Sequence, residues 1–165
     1  DKKLTPEKFA ESKTDIWGAA LTGGIGGGGT KSYLSGLTSK NKLKVKNQEL
    51  TLNINQNVDV AGNKISNIAT QQFFSDAQSP NDFALVRLNT NVKKKERWIK
   101  TGSMSLAGGY SFQIKKKLYI DFEWEELENN TFKIKTNLEP DNYAFVFIGT
   151  SAYSNNAIFT FTVEY

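Results

Sequence analysis

The acids best spaced for chemistry are Asp121, Glu123 and Glu125, which alternate with Ile120, Phe122 and Trp124. On a strand, that alternation sends all three carboxylates to one face, with successive ones about 6–7 Å apart. The spacing falls inside the roughly 5–9.5 Å window of glycosidase carboxylate pairs, so carboxylate-dependent glycoside hydrolysis is one reading of the chain. The plainer reading is a wet strand face, because no aromatic side chain interrupts the acids to raise one of them in pKa. Most other catalytic classes fall away, since the chain has no histidine and no cysteine. Ser-His-Asp triads, imidazole acid–base work, thiolate nucleophiles and His or Cys metal sites are excluded. The expectation is therefore a protein that is not an enzyme and that uses no cofactor and no metal.

A glycine run from Gly23 to Gly29 holds six glycines in seven residues. Gly24, Gly26 and Gly29 match G-x-G-x-x-G, but a dinucleotide site needs a strand before the glycines and a helix after them. The phosphate-loop pattern fails too, because Thr30 stands where Lys must follow the last Gly. The run reads as a hinge or close-packed loop, with an anion-binding nest of backbone N–H groups near Thr30, Lys31 and Ser32 as the second reading.

Other candidates would bind rather than react. Asn53, Asn55, Asn57 and Asp59 share one parity opposite Leu52, Ile54, Val58 and Val60. Such a ladder suits sugar hydroxyls, whereas a single carboxylate among these four is poor chemistry for calcium. A solvated outer face explains the same pattern. Trp98 with Lys95 and Arg97, at the end of a basic block, forms the second set of candidate contacts. Trp98 is equally compatible with a core anchor.

These residues need strands to position them. Tyr110, Phe112 and Ile114; Leu118 to Trp124; Phe132 and Ile134; Tyr143, Phe145 and Phe147; and Phe159 to Tyr165 all show period-two alternation. Glu139-Pro140-Asp141-Asn142 and similar turn-forming runs separate them, which predicts five consecutive strands in an antiparallel meander. Phe83 to Asn89 is apolar on both parities and predicts a strand buried on both sides. Asn91 to Glu96 predicts a basic hairpin tip, and Pro80 and Asn81 a turn. Near the start, Thr5-Pro6-Glu7-Lys8 has the chemistry of a helix N-terminus and predicts a helix from Pro6 to Leu21. The expected fold is all-β: an antiparallel β-sandwich of about 8–10 strands with one N-terminal helix. Residues 1–41 are read as the helix and glycine-rich segment, and 42–165 as the sandwich domain, within a single globular unit.

With 38% apolar and 12% aromatic residues and a net charge of +4, the chain is that of a globular β protein with modest excess base. Nucleic acid is a disfavoured partner, because most aromatics fall on inward parities and an acidic strand opposes the lysine blocks. An unknown protein or glycan is the expected partner. No apolar run reaches the roughly 18 residues of a membrane helix. The chain starts at Asp1 and has Met104 as its one methionine, so removal of an export signal, or a cut of another origin, is expected before Asp1.

Three segments carry a resemblance. They are Ser79-Pro80-Asn81-Asp82-Phe83-Ala84-Leu85-Val86-Arg87-Leu88, Lys95-Glu96-Arg97, and Leu138-Glu139-Pro140-Asp141-Asn142-Tyr143-Ala144-Phe145. Together they resemble a functionally uncharacterised group of exported bacterial β-sandwich proteins. In that group an SPNEF-x-LV-x-L strand precedes a charged turn and an L-x-P-G-E-Y-A-F strand. This chain has Asp141-Asn142 where Gly-Glu is usual, and Glu-Arg in place of Arg-Glu. The resemblance implies a β fold and export to the periplasm, the outer membrane as a lipoprotein, or the medium. It offers no catalytic residue to carry over, and the expected function is a non-catalytic binding or interaction module of the bacterial envelope or exterior.

Overall fold

A computed structural model describes residues 2–4, 6–8, 11–14, 28–45, 48–54, 77–105, 109–111, 114–128, 130–148 and 157–165. Its strands are β1 (Lys2–Lys3), β2 (Pro6–Lys8), β3 (Glu11–Thr14), β4 (Gly28–Ser35), β5 (Lys42–Lys44), β6 (Glu49–Asn53), β7 (Phe83–Arg87) and β8 (Asn89–Asn91). There follow β9 (Glu96–Ser105), β10 (Gly109–Ser111), β11 (Tyr119–Ile120), β12 (Glu123–Glu126), β13 (Thr131–Lys135), β14 (Asn142–Phe147) and β15 (Ala157–Glu164). The fold is all-β and sandwich-like. Among the described residues no helix is long and apolar enough to cross a membrane.

Three sheets are formed. The central one runs β11-β7-β14-β15-β2, with β5 parallel to β15 beyond its pairing with β2. A four-stranded sheet runs β1-β6-β13-β12, and a five-stranded sheet runs β10-β9-β4-β3 with β8 also on β9. Most pairs are antiparallel; β1 with β6 and β5 with β15 are parallel.

Alternation explains how the sheets stack, because neighbouring residues on a strand face opposite ways. Phe83 and Leu85 of β7, Tyr143, Phe145 and Phe147 of β14, and Phe159, Phe161 and Val163 of β15 form one core with Leu50, Leu52, Phe132 and Ile134 of the four-stranded sheet. The intervening residues Ala84, Val86, Ala144, Val146 and Ile158 join a second core with Leu34 and Ile99 of the five-stranded sheet. The central sheet is thus covered on both faces. This accounts for β14 being buried at every position and β7 at all but Arg87.

Three expectations are corrected. The described part of the stretch expected as a helix, β2 and β3, is strand; residues 9–10 and 15–21 lie outside the described residues. The open edge of β15 offers β2 a hydrogen-bonding partner, and that tertiary pairing overrides a local helix start. The five-strand meander is two hairpins in different sheets, β12 with β13 and β14 with β15. The single strand expected from Leu118 to Trp124 is split, with β11 on the central sheet and β12 on the four-stranded one. The sandwich-like fold has its central sheet shared between two cores, because β7 and β14 have apolar side chains for both faces. The turn at Pro80 is present as a 3-10 turn capped by Ser79, whose hydroxyl accepts from the Asn81 amide.

Candidate functional site

After Leu88 the chain leaves the central sheet and enters β8, which pairs with β9 of the five-stranded sheet. A cleft of about 560 Å³ opens at this corner. Its walls are Arg87, Asn89 and Thr90 from the crossing segment, Lys31, Trp98 and Lys100 from the five-stranded sheet, and Leu118 and Asp141 at the rim. Leu88 and Ile99, both 2% exposed, form an apolar floor.

Trp98 is placed there by strand parity. Arg97 and Ile99 point into the protein, so Trp98 and Lys100 point out. Register does the rest: Lys31 of β4 stands opposite Lys100, and Trp98 lies between Tyr33 of β4 and Asn89 of β8. Lys31 Nζ lies 4.4 Å from the centre of the Trp98 ring, a cation–π contact. The Lys100 chain lies across Gly29, where a Cβ would fall 2.2 Å from Lys100 Cε and 3.0 Å from the Gly102 carbonyl oxygen. A side chain at 29 would therefore displace the end of the Lys100 chain; residues 23–27 of the glycine run lie outside the described residues. Among the described residues neither Lys31 nor Lys100 has an ion-pair partner. Arg87 is committed to Asp141, to which its Nε donates at 2.6 Å while Nη2 donates to the same carboxylate oxygen. That hydrogen bond and the Asp141 charge push the guanidinium further into its charged form.

Arg97 is not a surface contact, and the expectation that it meets a ligand beside Trp98 is corrected. It is 1% exposed, and its donors are spent inside the protein. Nε donates to the Gly36 carbonyl (3.1 Å), Nη1 to Thr160 Oγ1 (3.3 Å), and Nη2 to Ser35 O (3.1 Å) and Glu7 Oε2 (2.8 Å). Glu7 Oε1 in turn accepts from Thr160 Oγ1 at 2.5 Å and lies 2.8 Å from Ser39 Oγ. The network continues through the Asn41 side chain, which donates to the Thr160 carbonyl, and through Thr162 Oγ1, which donates to Asn142 Oδ1. A buried charge persists only when paired and hydrogen-bonded, and this one is both. Burial alone would raise the Glu7 carboxyl, but hydrogen bonds from Thr160 and Ser39 together with Arg97 outweigh it, so Glu7 titrates below the ordinary carboxylate value.

The remaining candidates are dispersed. Lys95 sits exposed at the β8–β9 hairpin tip with a left-handed φ of 51°, its carbonyl accepting from the Gly36 amide, and it does not line the cleft. Asn53 belongs to the four-stranded sheet, where its side chain donates to Thr131 Oγ1 at 2.9 Å, so it is not brought together with Trp98. Asn55, Asn57 and Asp59 lie outside the described residues. Asp121, Glu123 and Glu125 are exposed on or beside the edge strand β12. Trp124, beside them, is 38% exposed and packs edge-on against Phe132 with its indole N–H donating to Asn81.

Sequence reasoning found Trp98 but missed Lys31, Lys100 and Gly29 as its companions. Lys100 shares the parity of Trp98, which was a usable signal. Lys31 and Gly29 reach the site only through the pairing of β4 with β9. No family model matches this chain, and neither a curated protein nor a solved structure matches it.

Proposed function

We propose that this chain is a non-catalytic binding module of an exported bacterial protein, acting in the cell envelope or outside the cell. Its recognition surface is the outward face of β4, β8 and β9 together with the cleft at the sheet corner. The observation that carries the reading is the pair of lysines at this cleft: Lys31 held over Trp98, and Lys100 opposite it in register. A concave site with an apolar floor and a few converging polar groups is where a rigid β scaffold places recognition. Export, the bacterial source and the envelope location rest on the sequence resemblance. A glycan or a protein remains the class of partner, with polyanion binding as the alternative within the same surface.

Glycan-array and heparin-column binding at two salt concentrations tests the reading. Retention is expected, and it should fall by about tenfold or more in a Lys31→Ala/Lys100→Ala variant whose unfolding midpoint is unchanged. Equal retention of the variant would overturn the surface assignment. Turnover of a polysaccharide, abolished by Glu123→Gln, would overturn the non-catalytic reading. Cell fractionation tests export: the protein is expected outside the cytoplasm, and its recovery in the cytoplasm would remove the export claim.

A further inference from the structure

We infer that the ligand of this surface is an acidic polysaccharide, with carboxylates or sulfates of different rings seated on Lys31 and Lys100. The inference rests on the binding-module reading above and supplies its substrate class.

The first ground is electrostatic. Lys31 of β4 and Lys100 of β9 are direct register partners on neighbouring strands. Neighbouring strands lie about 4.8 Å apart. Like charges directly opposite each other on adjacent strands are destabilising. An interleaved carboxylate would relieve such a pair, yet no described carboxylate pairs with Lys31 or Lys100. An anion from outside would supply the missing charge. The two ammoniums diverge from this register pair, Lys31 towards Trp98 and Lys100 towards Gly29, so a polymer with acidic groups on more than one ring can engage both.

The second ground is steric. A neutral sugar or a nucleobase stacks on an open ring face, but the Lys31 ammonium already occupies a face of Trp98 at 4.4 Å. A carboxylate or sulfate uses that ammonium and leaves the cation–π contact in place. Trp98 is accordingly a positioning residue that holds Lys31. Gly29 plays the matching part for Lys100, since only a residue without Cβ lets that chain lie across β4. The cleft wall adds the amide of Asn89 and the Arg87–Asp141 pair, which suit the hydroxyls of a sugar. Asp141 at the rim also works against the unbroken phosphate run of a nucleic acid, whose binders present successive stacking rings in a uniformly basic groove.

The test is calorimetric titration with polygalacturonate oligosaccharides, heparin oligosaccharides, carboxyl-reduced (neutral) polygalacturonate and a single-stranded oligonucleotide, at about 50 mM and about 200 mM salt. At least one acidic polysaccharide should bind and the reduced one should not. Lys31→Gln/Lys100→Gln should weaken binding at least about tenfold and lower the salt slope by about two, roughly one per lost contact. Gly29→Ala should weaken binding several-fold with little change in unfolding midpoint, because the flexible end of Lys100 yields before the strand does. Equal binding of the neutral polymer, abolished by Trp98→Leu, would overturn the acidic-ligand inference while leaving the binding surface intact. Tighter binding of the oligonucleotide would overturn it in favour of nucleic acid. No binding by any probe would overturn the inference, and binding that is indifferent to all three variants would overturn the surface as well.

Discussion

The two faces of the central sheet are built on opposite principles. Towards the four-stranded sheet it presents rings: Phe83 meets Phe147 and Phe159 edge-on, Phe145 meets Phe122 edge-on, and Phe161 stacks between Tyr143 and Phe145. Towards the five-stranded sheet the same strands present Ala84, Ala144, Val86 and Val146, then Thr160, Thr162 and Asn142, and here Arg97 is buried against Glu7. The ring face gains its stability from area removed from water and tolerates any partner of similar shape. The polar face demands particular donors opposite particular acceptors, so it specifies where β9 must lie. Because Trp98 is the neighbour of Arg97, locking Arg97 inward also locks Trp98 outward. One face supplies bulk stability and the other aims the candidate site.

Removing a ring should do the most damage. Phe145 is fully buried, and Phe145→Ala should cost near the top of about 3–5 kcal/mol in urea unfolding. Arg97→Met should cost near the bottom of about 3–5 kcal/mol, since it strands the Glu7 carboxylate, which keeps some access to water. The double variant Arg97→Met/Glu7→Gln should recover about 1–2 kcal/mol of that loss, whereas a ring face offers no such rescue. A double-variant cycle showing no coupling would erase the distinction between the faces.

A smaller effect separates them by pH. Glu7 has a depressed folded-state pKa, so the unfolded chain takes up its proton first as the medium is acidified. Its contribution is complete above the ordinary value of 4.5 and is lost as pH falls below that towards the folded-state pKa. Unfolding midpoints measured from neutral pH down through this window should fall less steeply in Glu7→Gln than in the parent. Phe145→Leu should keep the parent's pH slope. The least effect is expected at the exposed Lys42–Glu164 pair, where Lys42→Gln should leave the unfolding curve unchanged within error.

Local pattern was a good guide wherever one strand's own residues settle its environment. Phe83 to Val86, apolar on both parities, had to lie between two layers, and β14 follows the same logic. The hairpin tip at residues 92–95 and the capped turn at Pro80 follow from turn chemistry. The pattern misled where a partner distant in sequence decided the outcome. Thr5-Pro6-Glu7-Lys8 carries helix-start chemistry, yet β2 is drawn to the edge of β15 and its carboxylate to Arg97. Tyr119–Ile120 and Glu123–Glu126 lie on one continuous alternating stretch, and no residue within it announces the change of sheet.

From composition and alternation alone came the all-β class and the loss of imidazole and thiol chemistry. Those properties depend on residue type and on neighbours one or two positions away. Tertiary structure alone decided that Arg97 is buried, that Lys31 covers Trp98, and that Gly29 makes room for Lys100. Each of these requires a register between strands far apart in the chain, and register is set by the total burial and hydrogen bonding of whole sheets, a sum that no local stretch contains.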